Sequence, residues 1–119
     1  MSYKHVLFDL DGTLLPLNQD VFLNTYFKKM TESMSCHGYN QEELFKVIWL
    51  SVKEMLNNDG TKTNCEAYWD KFASVYGQKA YDDIPLFDEF YRLHFDEIKE
   101  VSTANPLVKE CIEFLINLG

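Results

Sequence analysis

The chain begins with one short apolar run and continues as a long series of helical repeats. Residues 6–10, Val-Leu-Phe-Asp-Leu, form a run that is typical of a buried strand. From about residue 20 onward, apolar residues recur every three or four positions, which predicts amphipathic helices. The pattern therefore predicts one core strand followed by a small bundle of helices.

Capping signals divide the helical region into separate helices. The first helix is predicted from Asp20 to about Ser35. Asn40 with Glu43, and Thr63 with Glu66, have the spacing of a capping box, which predicts the starts of the second and third helices. The fourth helix is predicted to start around Asp83 and Pro85, because proline is favoured in a first turn. Helix ends are predicted at Gly38, residues 57–60 and Gly77.

The apolar stripes of these four helices predict the core of the bundle. Its expected members are Phe22, Leu23, Tyr26, Phe27, Met30, Met34, Leu44, Val47, Ile48, Val52, Met55, Tyr68, Phe72, Val75, Leu86, Phe87, Phe90, Leu93 and His94. A last apolar helix is predicted over residues 106–118. Residues 14–18, which include Pro16, and residues 98–105 are the expected hinges on either side of the bundle.

Composition narrows the class of protein. The chain has 119 residues, of which 46% are hydrophobic and 15% aromatic, enough for the core of one ordinary domain. A formal net charge of −8 argues against a nucleic-acid partner, which normally needs a basic face. No run is long and apolar enough to predict a membrane span, and the start does not resemble a signal peptide, so we expect a cytoplasmic protein without a membrane partner. Three widely spaced cysteines predict neither a disulfide framework nor a zinc site.

The candidate chemistry lies where the predicted strand ends. Asp9 and Asp11 are two apart, so in an extended segment both side chains would point toward one small volume. Two carboxylates so close repel each other, and one is expected to hold a proton unless a cation lies between them. Gly12 then permits a sharp turn, and Thr13 adds a hydroxyl group. The stretch predicts a reactive loop at the carboxyl end of a strand, where open α/β sheets bind ligands.

The sequence Asp9-Leu10-Asp11-Gly12-Thr13 after an apolar strand resembles the first motif of the haloacid dehalogenase-like (HAD) hydrolase superfamily. The resemblance implies an α/β parent fold, a Rossmann-like core with a helical cap inserted after the first motif. This chain would then be mostly α, a helical bundle with one core strand. Residues 1–16 would supply the first core strand and catalytic loop, 17–100 the cap, and 101–119 the return segment and a core helix.

The same resemblance implies the role of each motif residue. Asp9 would be the nucleophile that forms a phospho-aspartate, and Asp11 the general acid and later the general base. Mg²⁺ would be held by the Asp9 carboxylate and the Asp11 backbone carbonyl. Leu10, Gly12 and Thr13 would bind the substrate phosphate. An aspartate at position 11 favours phosphate esters, so the implied function is a Mg²⁺-dependent phosphatase that acts on a small phosphorylated metabolite.

Other interpretations of the motif and the bundle stay open. Asp-x-Asp-Gly also occurs in acidic turns and calcium loops, but here an apolar stretch follows where a calcium loop needs more acidic residues. A second hypothesis is a non-catalytic helical interaction module that retains the motif. A sugar phosphomutase of the same superfamily shares both aspartates and passes the phosphoryl group to a sugar hydroxyl rather than to water.

Three further motifs of the superfamily are not found in this sequence: a serine or threonine that holds phosphate, a lysine, and an acidic pair that completes the metal site. A lone strand also leaves its backbone hydrogen-bonding groups without partners. We therefore expect the chain to be the amino-terminal part of a longer polypeptide. By itself it should lack useful activity and should associate through its unpaired strand.

Overall fold

The computed structural model describes residues 4–118 of the chain. The described helices are α1 (Gln19–Ser35), α2 (Gln41–Leu56), α3 (Asn64–Tyr76), α4 (Gln78–Asp82), α5 (Ile84–His94), a 3₁₀ helix (Phe95–Val101) and α6 (Leu107–Asn117). The predicted mostly helical fold is confirmed. Over these residues no helix combines the length and the apolar character needed to cross a bilayer.

The chain divides into two compact units. One unit joins Met1–Thr25 with Glu97–Gly119, and the other comprises Tyr26–Asp96. We call the first the terminal unit and the second the helical unit. The predicted division into a first strand (1–16), a cap (17–100) and a return segment (101–119) follows from family resemblance and stays a prediction.

Side-chain caps fix the starts of α2 and α3 as the sequence predicted. The side chain of Asn40 accepts a hydrogen bond from the backbone N–H of Glu43 at 3.0 Å and starts α2. At α3 the capping box is complete, because Thr63 Oγ1 accepts from the Glu66 N–H at 3.2 Å and Glu66 Oε2 accepts from the Thr63 N–H at 2.8 Å. Each cap pairs backbone donors that a helix leaves unpaired at its start. Gly77 ends α3 with a φ of 64°, a conformation that favours glycine.

Aromatic side chains form much of the core of the helical unit. Phe72 is fully buried, and its ring contacts five other aromatic rings, those of Tyr39, Tyr68, Trp69, Tyr76 and Phe87. Helix α2 packs on α3, α3 on α4 and α4 on α5. Aromatic pairs at these distances add to the stabilisation from buried area, so the cluster around Phe72 is a main source of the unit's stability.

Two predicted core residues lie on the surface instead. Val75 is 45% exposed and Leu93 is 49% exposed. Around α3, Val75 lies about 60° to one side of Phe72 and Tyr76 about 40° to the other, and the Tyr76 ring packs against Tyr39. Leu93 lies about 120° around α5 from Phe87, given about 100° per residue in an α-helix. Both residues belong to apolar stripes that are wider than the surface their neighbours cover.

Two tyrosine hydroxyl groups in this core have opposite hydrogen-bonding states. The Tyr39 hydroxyl donates to Asp83 Oδ2 at 2.8 Å, and the same carboxylate accepts from the Lys79 ammonium group. The Tyr76 hydroxyl is buried and has no hydrogen-bond partner among the described residues. A buried donor without a partner is costly, so the two hydroxyls should affect stability in opposite directions.

The terminal unit differs from the sequence prediction at its first segment. Residues 6–9 belong to no strand, and the side chains of Val6, Leu7, Phe8 and Leu10 are exposed. The expected core strand is therefore not formed, because the described part of the chain offers these residues no second strand to pair with. Two isolated bridges, Asp11 with Leu15 and Leu17 with Ser102, are the β-type pairings described.

Helix α6 of the terminal unit forms where the sequence predicted the last helix, but none of its residues is buried. Its most exposed apolar side chains are Leu107, Phe114 and Ile116. The terminal unit therefore presents apolar side chains both along residues 6–10 and on α6.

We predict that Tyr76→Phe leaves the free energy of unfolding unchanged or raises it by up to about 1 kcal/mol, since it removes an unpaired buried hydroxyl. Tyr39→Phe, the matched control, should lower the free energy of unfolding by about 1 kcal/mol because it breaks a hydrogen bond to a carboxylate. Urea denaturation followed by circular dichroism measures both. Equal destabilisation by the two variants would contradict the hydrogen-bonding states described above.

A second prediction concerns acid. Burial alone would raise the pKa of Asp83, but hydrogen bonds from Lys79 and Tyr39 outweigh it and hold the pKa below its usual value. A lowered carboxyl pKa contributes stability above the unfolded-state value of about 3.9, and the contribution is lost as pH falls through the folded-state pKa. The free energy of unfolding should therefore drop below about pH 4 by about 1 kcal/mol through this group. Asp83→Asn should flatten that drop, whereas Asp88→Asn, at an exposed position of α5, should leave it unchanged.

We also predict that the 119-residue chain associates in solution through residues 6–10, because their apolar side chains are exposed and the backbone groups of residues 6–9 have no hydrogen-bond partner among the described residues. Multi-angle light scattering over a range of concentrations should show species larger than a monomer. The double substitution Val6→Lys and Phe8→Lys should shift the population toward monomer. A clean monomer at all concentrations would rule the association out.

Candidate active site

Residues 9–15 form a tight loop closed by backbone hydrogen bonds. The Leu10 carbonyl accepts from the Thr13 N–H at 3.2 Å and from the Leu15 N–H at 2.9 Å, and the Gly12 N–H donates to the Leu15 carbonyl at 2.8 Å. Gly12 has a φ of 77°, so a side chain there would strain the backbone although no atom would clash with it. The Asp-Gly-Thr sequence therefore folds the chain back on itself within a few residues of Asp9.

The loop brings the Thr13 side chain to Asp9. Thr13 Oγ1 donates to Asp9 Oδ2 at 3.3 Å, a long hydrogen bond on an exposed part of the surface. The hydrogen bond orients the Asp9 carboxylate, which is still exposed to a reacting partner. Of the predicted site residues, Thr13 and Asp9 are thus joined by a side-chain contact.

Asp11 takes a different place in the loop. Its side chain is exposed, and within the described residues its carboxylate has no hydrogen bond or ion pair. The turn begins at Leu10, so the period-two alternation that put both aspartates on one face of a strand does not extend to Asp11. The Asp11 carbonyl accepts none of the backbone hydrogen bonds that close the loop and is available to another donor or to a cation.

Leu10 and Gly12, the other predicted substrate-binding residues, have different surroundings. The Leu10 side chain lines an apolar cavity of about 600 Å³ in the terminal unit, together with Leu14, Leu15, Ala104, Val108 and Ile112. Gly12 is exposed at the tip of the loop. The N–H groups of Gly12 and Thr13 already donate within the loop and the Leu10 side chain is apolar, so phosphate binding by these residues stays a prediction.

Whether the loop suits Mg²⁺ depends on the oxygen ligands that it presents. The described residues contain no group of three or more histidine, cysteine, aspartate or glutamate side chains that could hold a metal ion. Mg²⁺ commonly binds one or two protein oxygens, several waters and substrate phosphate. An open carboxylate at Asp9 and an open carbonyl at Asp11 are donors of the right kind for such a site.

One polar groove in the helical unit was not predicted from the sequence. It has a volume of about 430 Å³ and is lined by Glu54, Asn57, Asn58, Asp59, Thr61, Lys62, Ala67, Asp70, Lys71 and Ser74. Asp70 accepts from Lys62 at 2.6 Å and from Tyr81 at 2.8 Å, and these hydrogen bonds lower its pKa. Lys62 and Asp70, two of the charged residues in its lining, therefore already pair with each other. The sequence predicts residues 57–60 only as a helix end. The nearby Lys62 and Asp70 are the residues that could have indicated a polar groove here.

Comparison with known proteins bears on the loop and the helices together. A family model described as haloacid dehalogenase-like hydrolase matches residues 6–108, which includes the whole Asp9–Thr13 motif and helices α1 to α5. No curated protein and no solved structure matches this chain. The match covers most of the sequence, and it places the predicted nucleophile and the helical unit within one family pattern. The chain therefore belongs to the haloacid dehalogenase-like hydrolases.

Proposed function

We propose that this hydrolase is a Mg²⁺-dependent phosphatase that acts on a small phosphate monoester through a phospho-aspartate at Asp9. The observation that carries the proposal is the loop itself, in which an exposed Asp9 is oriented by Thr13 and followed two residues later by a second aspartate. A second aspartate at that position is what the family uses for phosphate esters. The substrate would be a small phosphorylated metabolite and the location cytoplasmic.

In the first step an Asp9 carboxylate oxygen attacks the phosphorus atom. The new O–P bond forms as the P–O bond to the alcohol breaks, and Asp11 gives a proton to the departing alkoxide. Thr13 supports this step because its hydroxyl holds one Asp9 oxygen in place and leaves the other free to react. The exposure of both aspartates gives a substrate direct access to them.

In the second step water hydrolyses the phospho-aspartate. Asp11, now a carboxylate, takes a proton from the water as its oxygen bonds to phosphorus, and the bond between Asp9 and phosphorus breaks. Inorganic phosphate leaves and both aspartates return to their starting states. A residue that acts first as acid and then as base needs a side chain that no ion pair holds. Within the described residues the Asp11 carboxylate has no ion pair.

The Asp9 carboxylate and the Asp11 carbonyl would hold Mg²⁺. When bound, the ion supplies positive charge that offsets the repulsion between the carboxylates and the phosphate. An acidic chain with a net charge of −8 needs such a local positive charge near its loop.

We predict that the protein made from its whole reading frame releases phosphate from p-nitrophenyl phosphate in a Mg²⁺-dependent reaction. Asp9→Asn should lower kcat by about a thousandfold or more because it removes the nucleophile. Asp11→Asn should lower kcat by about a hundredfold or more because it removes the proton donor. Asp20→Asn, at an exposed acid in the first turn of α1, is the matched control and should keep full activity.

The 119-residue chain tested alone should show no turnover. Among the described residues, Thr13 provides the side-chain hydrogen bond to Asp9, and no lysine is paired with that carboxylate. Turnover by this chain that is abolished in Asp9→Asn would contradict the expectation. In the whole protein, full activity of Asp9→Asn would exclude the phospho-aspartate route, whereas no turnover by the unsubstituted protein would favour a non-catalytic helical module.

A second assay, with a sugar phosphate as substrate, separates phosphatase from phosphomutase activity. A phosphatase passes the phosphoryl group to water and releases inorganic phosphate from a sugar phosphate. A sugar phosphomutase passes it to a second hydroxyl, and the product remains a phosphorylated sugar. Phosphorus NMR of the reaction mixture distinguishes the two outcomes.

A further inference from the structure

Helix α2 presents apolar side chains on two neighbouring faces, whose centres lie about 120° apart at about 100° per residue. Its inner face packs in the core of the helical unit through Leu44, Val47 and Ile48. Its outer face presents a second apolar series at intervals of four, three and four residues: Phe45, Trp49, Val52 and Leu56. A helix that is apolar on two faces is expected to be covered on both, but Leu56 is 81% exposed.

The outer face of α2 forms one side of an elongated groove. A cavity of about 650 Å³ is lined by the outer face together with Lys46, Leu50 and Lys53. The lining of this first cavity comes from α2 alone. A second cavity of about 340 Å³ shares Phe45 and Lys46 with it and is completed by Lys28 and Thr31 of α1 and by Gln41 and Glu42 of α2. We call this combined surface the outer groove. It follows most of the length of α2.

The aromatic part of the outer groove is held in place from beneath. The Trp49 ring contacts the Phe27 ring edge to face at a centroid distance of 5.0 Å, and Phe27 is only 2% exposed. Phe45 contacts the same buried ring at 5.8 Å. Two aromatic side chains fixed in this way give the groove a shape before any partner binds, which reduces the entropy lost on binding.

The charge at the outer groove is opposite to that of the chain as a whole. Its lining carries three lysines, Lys28, Lys46 and Lys53, and one acid, Glu42. Lys28 pairs with Glu32 of α1, whereas in the described part of the chain neither Lys46 nor Lys53 has an ion-pair partner. The whole chain carries a net charge of −8. The outer groove is therefore a local basic rim beside an apolar floor on an acidic protein.

We propose that the outer groove binds an amphipathic α-helix of another protein, with an apolar stripe on one side and acidic residues along its flank. Apolar anchors at intervals of three and four residues are how a helix fills such a groove. Helix α2 has 16 residues, or about 24 Å at 1.5 Å per residue, so the bound helix would have about four turns. Its acidic flank would pair with Lys46 and Lys53.

Charge favours this occupant over two others. A second copy docked through the same groove would bring four lysines to one interface, and like charges there are unfavourable. An anionic membrane would be repelled by a chain of net charge −8, since two lysines do not offset that excess. A single acidic helix needs only the local pairing that the rim provides. The proposal does not depend on the phosphatase activity.

The test uses two labelled 16-residue peptides that differ only in their flanks. Both are designed helices with leucine at positions 1, 5, 8 and 12, and their flanking residues are all glutamate or all lysine. Fluorescence anisotropy should give a dissociation constant at least tenfold lower for the glutamate peptide at low salt, and the difference should shrink as salt rises. A change in tryptophan emission should accompany binding, since Trp49 is part of the groove.

Three variants locate the binding surface. Leu56→Glu should weaken binding of the glutamate peptide at least tenfold, and it should not unfold the protein because the side chain is mostly exposed. Leu93→Glu, at an exposed leucine of α5 outside the groove, is the matched control and should bind like the unsubstituted protein. The double variant Lys46→Glu and Lys53→Glu should reverse the preference between the two peptides. Circular dichroism verifies the fold of each variant.

Several results would overturn the proposal. These are equal affinity for both peptides, no binding of either, or binding that Leu56→Glu leaves unchanged. A concentration-dependent dimer that Leu56→Glu converts to monomer would assign the groove to a second copy. Sedimentation with phosphatidylserine vesicles that Leu56→Glu abolishes would assign it to a membrane.

Discussion

The need of every backbone N–H and C=O group for a hydrogen-bond partner explains why the two parts of this chain differ. A helix satisfies these groups within itself, apart from its ends, and the caps at Asn40 and Thr63 satisfy the first donors of α2 and α3. The helical unit is then held by an aromatic core around Phe72. Residues 6–9 have a sequence typical of a strand, but a strand needs a neighbour for its hydrogen bonds, so the same physical rule leaves them unpaired here.

The candidate active site avoids this dependence because it closes on itself. The loop that starts at Leu10 uses the Leu10 carbonyl as acceptor twice and Gly12 as the residue of positive φ. Those bonds bring Thr13 back to Asp9 without help from a sheet. The nucleophile proposed for this hydrolase is therefore oriented by local sequence alone.

Local signals such as caps and turn residues predicted the helix boundaries, whereas apolar periodicity did not identify every core residue correctly. Both caps, the proline at the start of α5 and the glycine after α3 depend on a few neighbouring residues, and all lie where the sequence placed them. Periodicity predicts that Val75 and Leu93 are buried, but both are exposed. Periodicity shows where an apolar stripe lies and does not show how much of its width the neighbouring helices cover. The contact of Thr13 with Asp9 also escaped prediction, since it depends on how the turn at Gly12 closes. The family match, in contrast, agrees with the resemblance that the Asp9–Thr13 motif already indicates in the sequence.

Exposed apolar surface has two different meanings in this chain. Helix α6 buries none of its residues, so its apolar side chains offer no anchored shape to a specific partner. Helix α2 is fixed by a buried inner face, and its outer face rests on Phe27, which is itself buried. A surface supports selective binding when its own side chains are already ordered, because less entropy is then lost on association. The lysine rim adds a preference for one sign of charge. Order and charge together, rather than apolar area, are what distinguish the outer groove from the rest of the exposed surface.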